Sequence, residues 1–118
     1  MSQDYKAGDF LVFQIESGFG LMRVLDVERR DGQTVWHLAA YGDLFLDVDM
    51  AEAAIAAGSL TVEIPHAAMT DRAFESTQTA FITNMPVTES EKRLIDGWSS
   101  NSGNVPTDRS VRLLLGLR

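Results

Sequence analysis

His37 and His66 are the side chains of this sequence best suited to move a proton or ligate a metal near neutral pH. A metal centre using both would also draw on carboxylates, and Asp43, Asp47, Asp49 and Glu52 are the obvious supply. The histidines are far apart in the chain and share no ligand-spaced motif. Asp47 and Asp49 start a calcium-loop pattern that is not completed, and helix capping explains them more simply, so no metal is expected. Asp26 and His37 can form the orienting half of a catalytic triad. Yet Ser17, Ser99, Ser100 and Ser102 all lack the G-x-S-x-G elbow, and a cross-strand His–Asp pair is more simply a surface ion pair. Gly18-Phe19-Gly20 suggests half of a phosphate-cradling loop, but a strand-like run follows it where that mechanism requires a helix. A hairpin turn is the better reading. Trp36 and Trp98 remain as aromatic anchors, the first for the core and the second for either the core or a partner.

These side chains must be positioned by a small scaffold. The 118 residues fit one domain. The sequence contains no cysteine, which excludes disulfide frameworks, thiolate zinc sites and cysteine nucleophiles. A net charge of -7 argues against a nucleic-acid partner, since no basic face is available to neutralise phosphates. No run approaches the ~20 apolar residues of a membrane helix, and the polar start MSQDYKAGDF does not resemble a secretory leader. No membrane partner is expected, and a cytoplasmic location is.

Phe10 to Ile15 (FLVFQI) and Leu21 to Arg29 are expected as a hairpin of two strands. Asp31-Gly32 is the strongest local signal, because both residues accept the positive φ of a type I′ turn. A two-residue turn there pairs Arg30 with Gln33, Asp26 with His37, Leu25 with Leu38 and Val27 with Trp36. Strand alternation then places Leu25, Val27, Trp36 and Leu38 together on the core face. Alanine-rich residues ending at Gly58 predict a helix over 50–57, with the preceding aspartates at the favourable end of its dipole. Leu60 to Ile64 is predicted as a strand stopped by Pro65, and 66–78 as irregular with an edge strand around Ala73. Thr79 to Thr83 is predicted as a strand. Thr88-Glu89-Ser90-Glu91 is a capping box that opens a helix over 89–98, with Leu94, Ile95 and Trp98 as its apolar stripe. Residues 1–7 are expected to fray, 99–107 to form a mobile connection, and Val111 to Leu115 to be a last buried strand. The expected class is α+β, with a mainly antiparallel, strongly bent sheet, open or closed into a small barrel, and two short helices.

Gly8-Asp9 before the first strand, followed by Gly20-Leu21-Met22-Arg23-Val24-Leu25, resembles the opening of SH3-like-barrel immunity proteins of bacterial polymorphic toxin systems. The resemblance implies a non-enzymatic inhibitor that neutralises a toxin by binding it, without a cofactor. The charge distribution is compatible with a basic partner, since residues 1–60 carry ten acids against four bases. Three readings follow. The first is a protein-binding domain with an acidic interface at Asp43, Asp47, Asp49, Glu52 and Trp98. The second is a small-molecule binder or minor hydrolase with a pocket between the sheet and the second helix, using Asp26, His37 and Trp98. The third is a structural homo-oligomer.

Overall fold

The computed structural model describes residues 4–117. Those residues form five strands, β1 (Asp9–Ile15), β2 (Gly18–Arg30), β3 (Gln33–Tyr41), β4 (Val62–Thr70) and β5 (Thr79–Asn84). With them are four helices, α1 (Val48–Ala57), α2 (Asp71–Glu75), α3 (Glu89–Ser99) and α4 (Val111–Leu114). The strands make one antiparallel sheet in the order β4-β3-β2-β1-β5. Its two edge strands do not meet, so the sheet is open rather than barrelled.

The turn chemistry of Asp31-Gly32 is realised, whereas Gly18-Phe19-Gly20 is not the turn of the first hairpin. Asp31 and Gly32 both have positive φ, at 52° and 78°, and Arg30 faces Gln33 across them. The first hairpin turns at Glu16-Ser17, with Ile15 opposite Gly18, so the glycines lie on β2 rather than in the turn. Their role there is close approach. A Cβ on Gly18 would overlap the Phe45 carbonyl, and one on Gly20 would overlap the Phe13 ring.

Phe10 to Phe13 are all buried, so β1 is apolar on both sides and the sheet has to be covered on both faces. On one face Leu11, Phe13, Met22, Val24, Trp36 and Leu38 pack against Phe74 of α2 and Val111 of α4. On the other, Phe10, Val12, Leu21 and Tyr41 meet Ala51 and Ile55 of α1, while Leu25 and Ala39 meet Ile95 of α3. Helix α1 is capped by Asp47 and closed by Gly58 in the left-handed conformation, and the capping box Thr88–Glu91 starts α3, both as the sequence indicates.

Four further expectations are corrected. A bulge at Leu25 pairs Val24, not Leu25, with Leu38, and turns Leu25 to the face opposite Trp36. Strand β4 runs through Pro65 to Thr70, because an edge strand tolerates proline where the ladder bulges. Asp71–Glu75 is a helical turn capped by Thr70, not an edge strand. Val111–Leu114 is helical, capped by Ser110, not a strand. Of the segment expected to fray, residues 1–3 lie outside the described residues, while Tyr5 shares hydrogen bonds with Thr79 and meets Phe74 edge-on.

Trp36 is the largest fully buried side chain; its ring stacks on Phe74 at 3.8 Å and its Nε1 donates to Asp71 at 2.8 Å. Trp36→Ala is expected to cost roughly 3–5 kcal/mol, a large share of the stability of a domain this size. Denaturant melts would measure it, and a loss under about 1 kcal/mol would contradict the burial.

Candidate functional site

The two histidines that the sequence leaves apart are brought together by a bulge. On β4 two residues, Pro65 and His66, stand between the partners of Leu38 and Ala40, where β3 has only Ala39. The extra residue aims His66 back over β3, and its Nε2 lies 2.8 Å from His37 Nδ1 with the two rings nearly parallel. On β2 the residues from Asp26 to Arg30 keep the register set by the Asp31-Gly32 turn, and the bulge at Leu25 shifts only those before it. As expected, Asp26 is the Cα partner of His37. The carboxylate that engages His37 is nevertheless Glu28, whose Oε1 lies 2.6 Å from His37 Nε2. The expected Asp26–His37 pair is thus replaced by a hydrogen bond to the carboxylate two residues along the same strand.

The C-terminal end of α3 closes over this chain of groups. Ser99 Oγ donates to the same Glu28 oxygen at 3.2 Å, and Trp98 meets His37 edge-on at 5.3 Å. Arg30 stacks its guanidinium 4.7 Å from the Trp98 ring centre and donates to the Asn101 carbonyl, while Asn104 donates to the Trp98 carbonyl. His37 is wholly buried; His66 and Glu28 are half-buried.

Helix α3 holds this position because its other end is anchored to the sheet. Buried Arg23 donates from Nη1 to both Glu91 oxygens, at 2.9 and 2.8 Å, and from Nη2 to the carbonyls of Met85 and Pro86. It also lies 5.0 Å from the centre of the Phe10 ring.

The proton inventory of the Glu28–His37–His66 chain follows from donor and acceptor chemistry. Burial alone would raise the Glu28 carboxyl, but hydrogen bonds from His37 and Ser99, with the charges of His37 and Arg30, together hold it below its ordinary value. An ionised carboxylate only accepts, so His37 Nε2 carries a proton. With both rings neutral, His37 Nδ1 accepts, His66 Nε2 donates, and His66 Nδ1 keeps a bare lone pair. Burial first, and the charge on His37 second, push the His66 pKa down to about 4, which favours its neutral form. Such a chain of hydrogen bonds links the solvent-side nitrogen of His66 to the Glu28 carboxylate.

The predicted pocket is divided. Trp98 and His66 line a cleft of about 480 Å³ at the edge of β4, with Ile64, Val105, Thr107 and Leu114. Asp26 lines a separate hollow of about 270 Å³ between β2 and α3, with Leu25, Lys92 and Ile95. His37 lies behind His66 and borders neither. Glu28, Arg23 and Ser99 were missed by sequence reasoning, since their roles depend on long-range packing. The proline inside an otherwise β-compatible run was the available sign that β4 bulges at His66.

The predicted interface residues fall elsewhere. Asp43 accepts from the Thr61 amide at 2.6 Å and Asp47 from the Met50 amide at 2.8 Å, whereas Asp49 and Glu52 are exposed on α1. Trp98 does not join them, being committed to the His37 cluster. Among the described residues no group of three His, Asp or Glu side chains is arranged to hold a metal ion, and no helix is long and apolar enough to cross a membrane. Comparison with protein-family models, with curated proteins and with solved structures gives no match.

The depressed His66 pKa fixes the sign of a pH effect. The folded value near 4 lies below the ordinary 6.5, so the fold favours neutral His66 and its stabilisation is complete above pH 6.5. As pH falls from there towards 4, a loss of the order of 2 kcal/mol is expected. His66→Gln, which keeps a donor near the Nε2 position but cannot titrate, should flatten the melting temperature across that window. Melts from pH 7 to 4 on both chains would show it; identical slopes would contradict the assignment.

Proposed function

We propose that this chain is a protein-binding domain of inhibitor type, docking a basic partner on the surface formed by residues 43–52. The observation that carries this reading is the exposure of Leu44, Leu46, Val48 and Met50, at 53, 77, 39 and 48%, within a stretch that also displays Asp47, Asp49 and Glu52. Large apolar side chains exposed together and rimmed by charge suit a partner interface better than plain solubility, which needs only the acids. The acids select a partner of opposite sign, and the leucines supply the apolar anchor. The stretch has a rigid base, because Phe45 is buried between these leucines and exchanges backbone hydrogen bonds with Phe19. The likeness of Gly8-Asp9 and Gly20–Leu25 to the opening of toxin-neutralising immunity proteins supports the inhibitor role, and nothing in this reading requires catalysis or a cofactor.

Asp43 and Asp47 hold backbone amides, so the informative substitutions are Asp49→Asn with Glu52→Gln, and Leu46→Ala. The charge pair should slow association with the basic protein partner, and Leu46→Ala should speed dissociation. Both should leave stability within about 0.5 kcal/mol. Raising salt from about 0.1 M to 1 M, which shortens the Debye length from ~10 Å to ~3 Å, should slow association of the unmodified chain. Stopped-flow or surface-based kinetics would measure these rates, and an association rate indifferent to both salt and the charge pair would overturn the acidic interface.

A further inference from the structure

In the Glu28–His37–His66 chain each ring nitrogen is engaged except His66 Nδ1. His37 Nε2 is bonded to Glu28, and His37 Nδ1 to His66 Nε2. Among the described residues His66 Nδ1 has no hydrogen-bond partner, and it is not one of the buried polar atoms left without one, so it is open to solvent. With Glu28 ionised and both rings neutral, this atom presents a lone pair. A ligand meeting it has to bring a proton, since a carboxylate or other bare anion would set lone pair against lone pair.

The surroundings limit the ligand further. The cleft lined by His66 measures about 480 Å³, and Ile64, Trp98, Val105 and Leu114 supply apolar wall on either side of the β4 edge. That volume suits a small ring compound, and an indole wall favours a flat one. The titratable group in contact with His66 is His37 from β3; Glu28 of β2 lies on the far side of His37, Arg30 of β2 lies on the Trp98 ring, and α3 presents neutral Trp98 and Ser99. Arg30 lies across the Trp98 ring and so helps to hold that wall in place.

We propose that this cleft binds a small ring compound carrying a weakly acidic hydroxyl, of phenol or enol type, and takes up its proton. The hydroxyl proton moves to His66 Nδ1 and the Nε2 proton of His66 moves to His37 Nδ1. The result is a bound oxyanion and an imidazolium at His37, buried between the Glu28 carboxylate and neutral His66. One proton is displaced along the chain, no charge is created overall, and no co-reactant is needed. Glu28 is the positioning residue, fixing the His37 tautomer and stabilising the imidazolium, and His66 is the group in contact with the ligand. This site is independent of the α1 surface and can be tested without any protein partner.

The test uses the full chain and 4-nitrophenol, whose absorbance distinguishes phenol from phenolate, with its methyl ether 4-nitroanisole as the compound that has no proton to give. At a pH just below the probe's own ionisation, saturable binding with a shift towards phenolate is expected, and the anisole should bind at least about tenfold more weakly. His66→Gln should reduce affinity by a similar factor and abolish the shift. Glu28→Gln should retain binding but lose the shift. Val105→Trp, at a cleft-lining position 78% exposed, should block the cleft while leaving the fold intact. Circular dichroism would establish that each variant is folded. Absence of saturable binding, equal binding of the anisole, or full affinity in folded His66→Gln or Val105→Trp would overturn the site; an undiminished phenolate shift in Glu28→Gln would overturn the relay.

Discussion

The arrangement of this molecule depends on the burial of one charge, the Arg23 guanidinium, which is 7% exposed in the middle of the sheet. A cation there is tolerated only when its donors are met, because removing a charge from water costs several kcal/mol before any attraction is counted. Glu91 and the carbonyls of Met85 and Pro86 meet Nη1 and Nη2, while the Nε proton is buried without an acceptor. The two carbonyls come from the connection entering α3, and Glu91 also closes its capping box by accepting from the Thr88 amide. A single ion pair therefore fixes where α3 begins. Eleven residues at ~1.5 Å per residue carry the helix ~16 Å along the sheet, and its last turn brings Trp98 and Ser99 onto His37 and Glu28. The anchor at one end of the helix sets the geometry at the other.

What could be read in the sequence was what short-range chemistry decides. Asp31-Gly32 specifies its turn through two positive φ angles, and Asp47, Thr88 and Gly58 mark helix ends through side chains or backbone conformations within a few residues. The registers of Asp26 with His37 and of Val27 with Trp36 follow from that turn by counting. Counting fails at Leu25, because nothing in LMRVLDV distinguishes a bulge from unbroken alternation when both faces of the strand are buried. The same two-sided burial makes the sheet demand cover on both faces, which a count of two helices cannot provide. The apolar run from Val111 shows why short segments are ambiguous: four residues fit a strand or one helical turn equally, and only Ser110 accepting from the Leu113 amide decides it.

The candidate site was less legible than the fold, for a related reason. Each member of Glu28–His37–His66 sits on a different strand, and His66 is placed by a bulge whose effect is to change which residue faces which. The sequence identifies His37 and a facing carboxylate but assigns the wrong acid, since Asp26 and Glu28 lie on the same face of β2, and the diagonal neighbour proves the better reach. A histidine just after a strand-interior proline is recognisable as unusual, yet its partner depends on the β3–β4 register, which no local turn dictates.

Energetically this polar chain is a poor way to fill the space between β3 and α3. An apolar side chain at position 37 would pack against Trp98 without a carboxylate to desolvate, and buried ion pairs replaced by hydrophobic residues commonly lose nothing in stability. The cost is contained because every buried atom of the chain is satisfied: Glu28 by two donors, His37 at both nitrogens, and His66 at its inner one. Only the outermost atom, His66 Nδ1, is left to the solvent. A purely structural network would gain by closing that end too, with a serine or a backbone amide across the β4 edge. Instead the edge is paired by Thr107 to Ala68 and Thr70 and opens into the cleft at His66. The place where the hydrogen bonding stops is also the place where a ligand can enter, which makes the open nitrogen, rather than the buried pair behind it, the feature that needs a functional explanation.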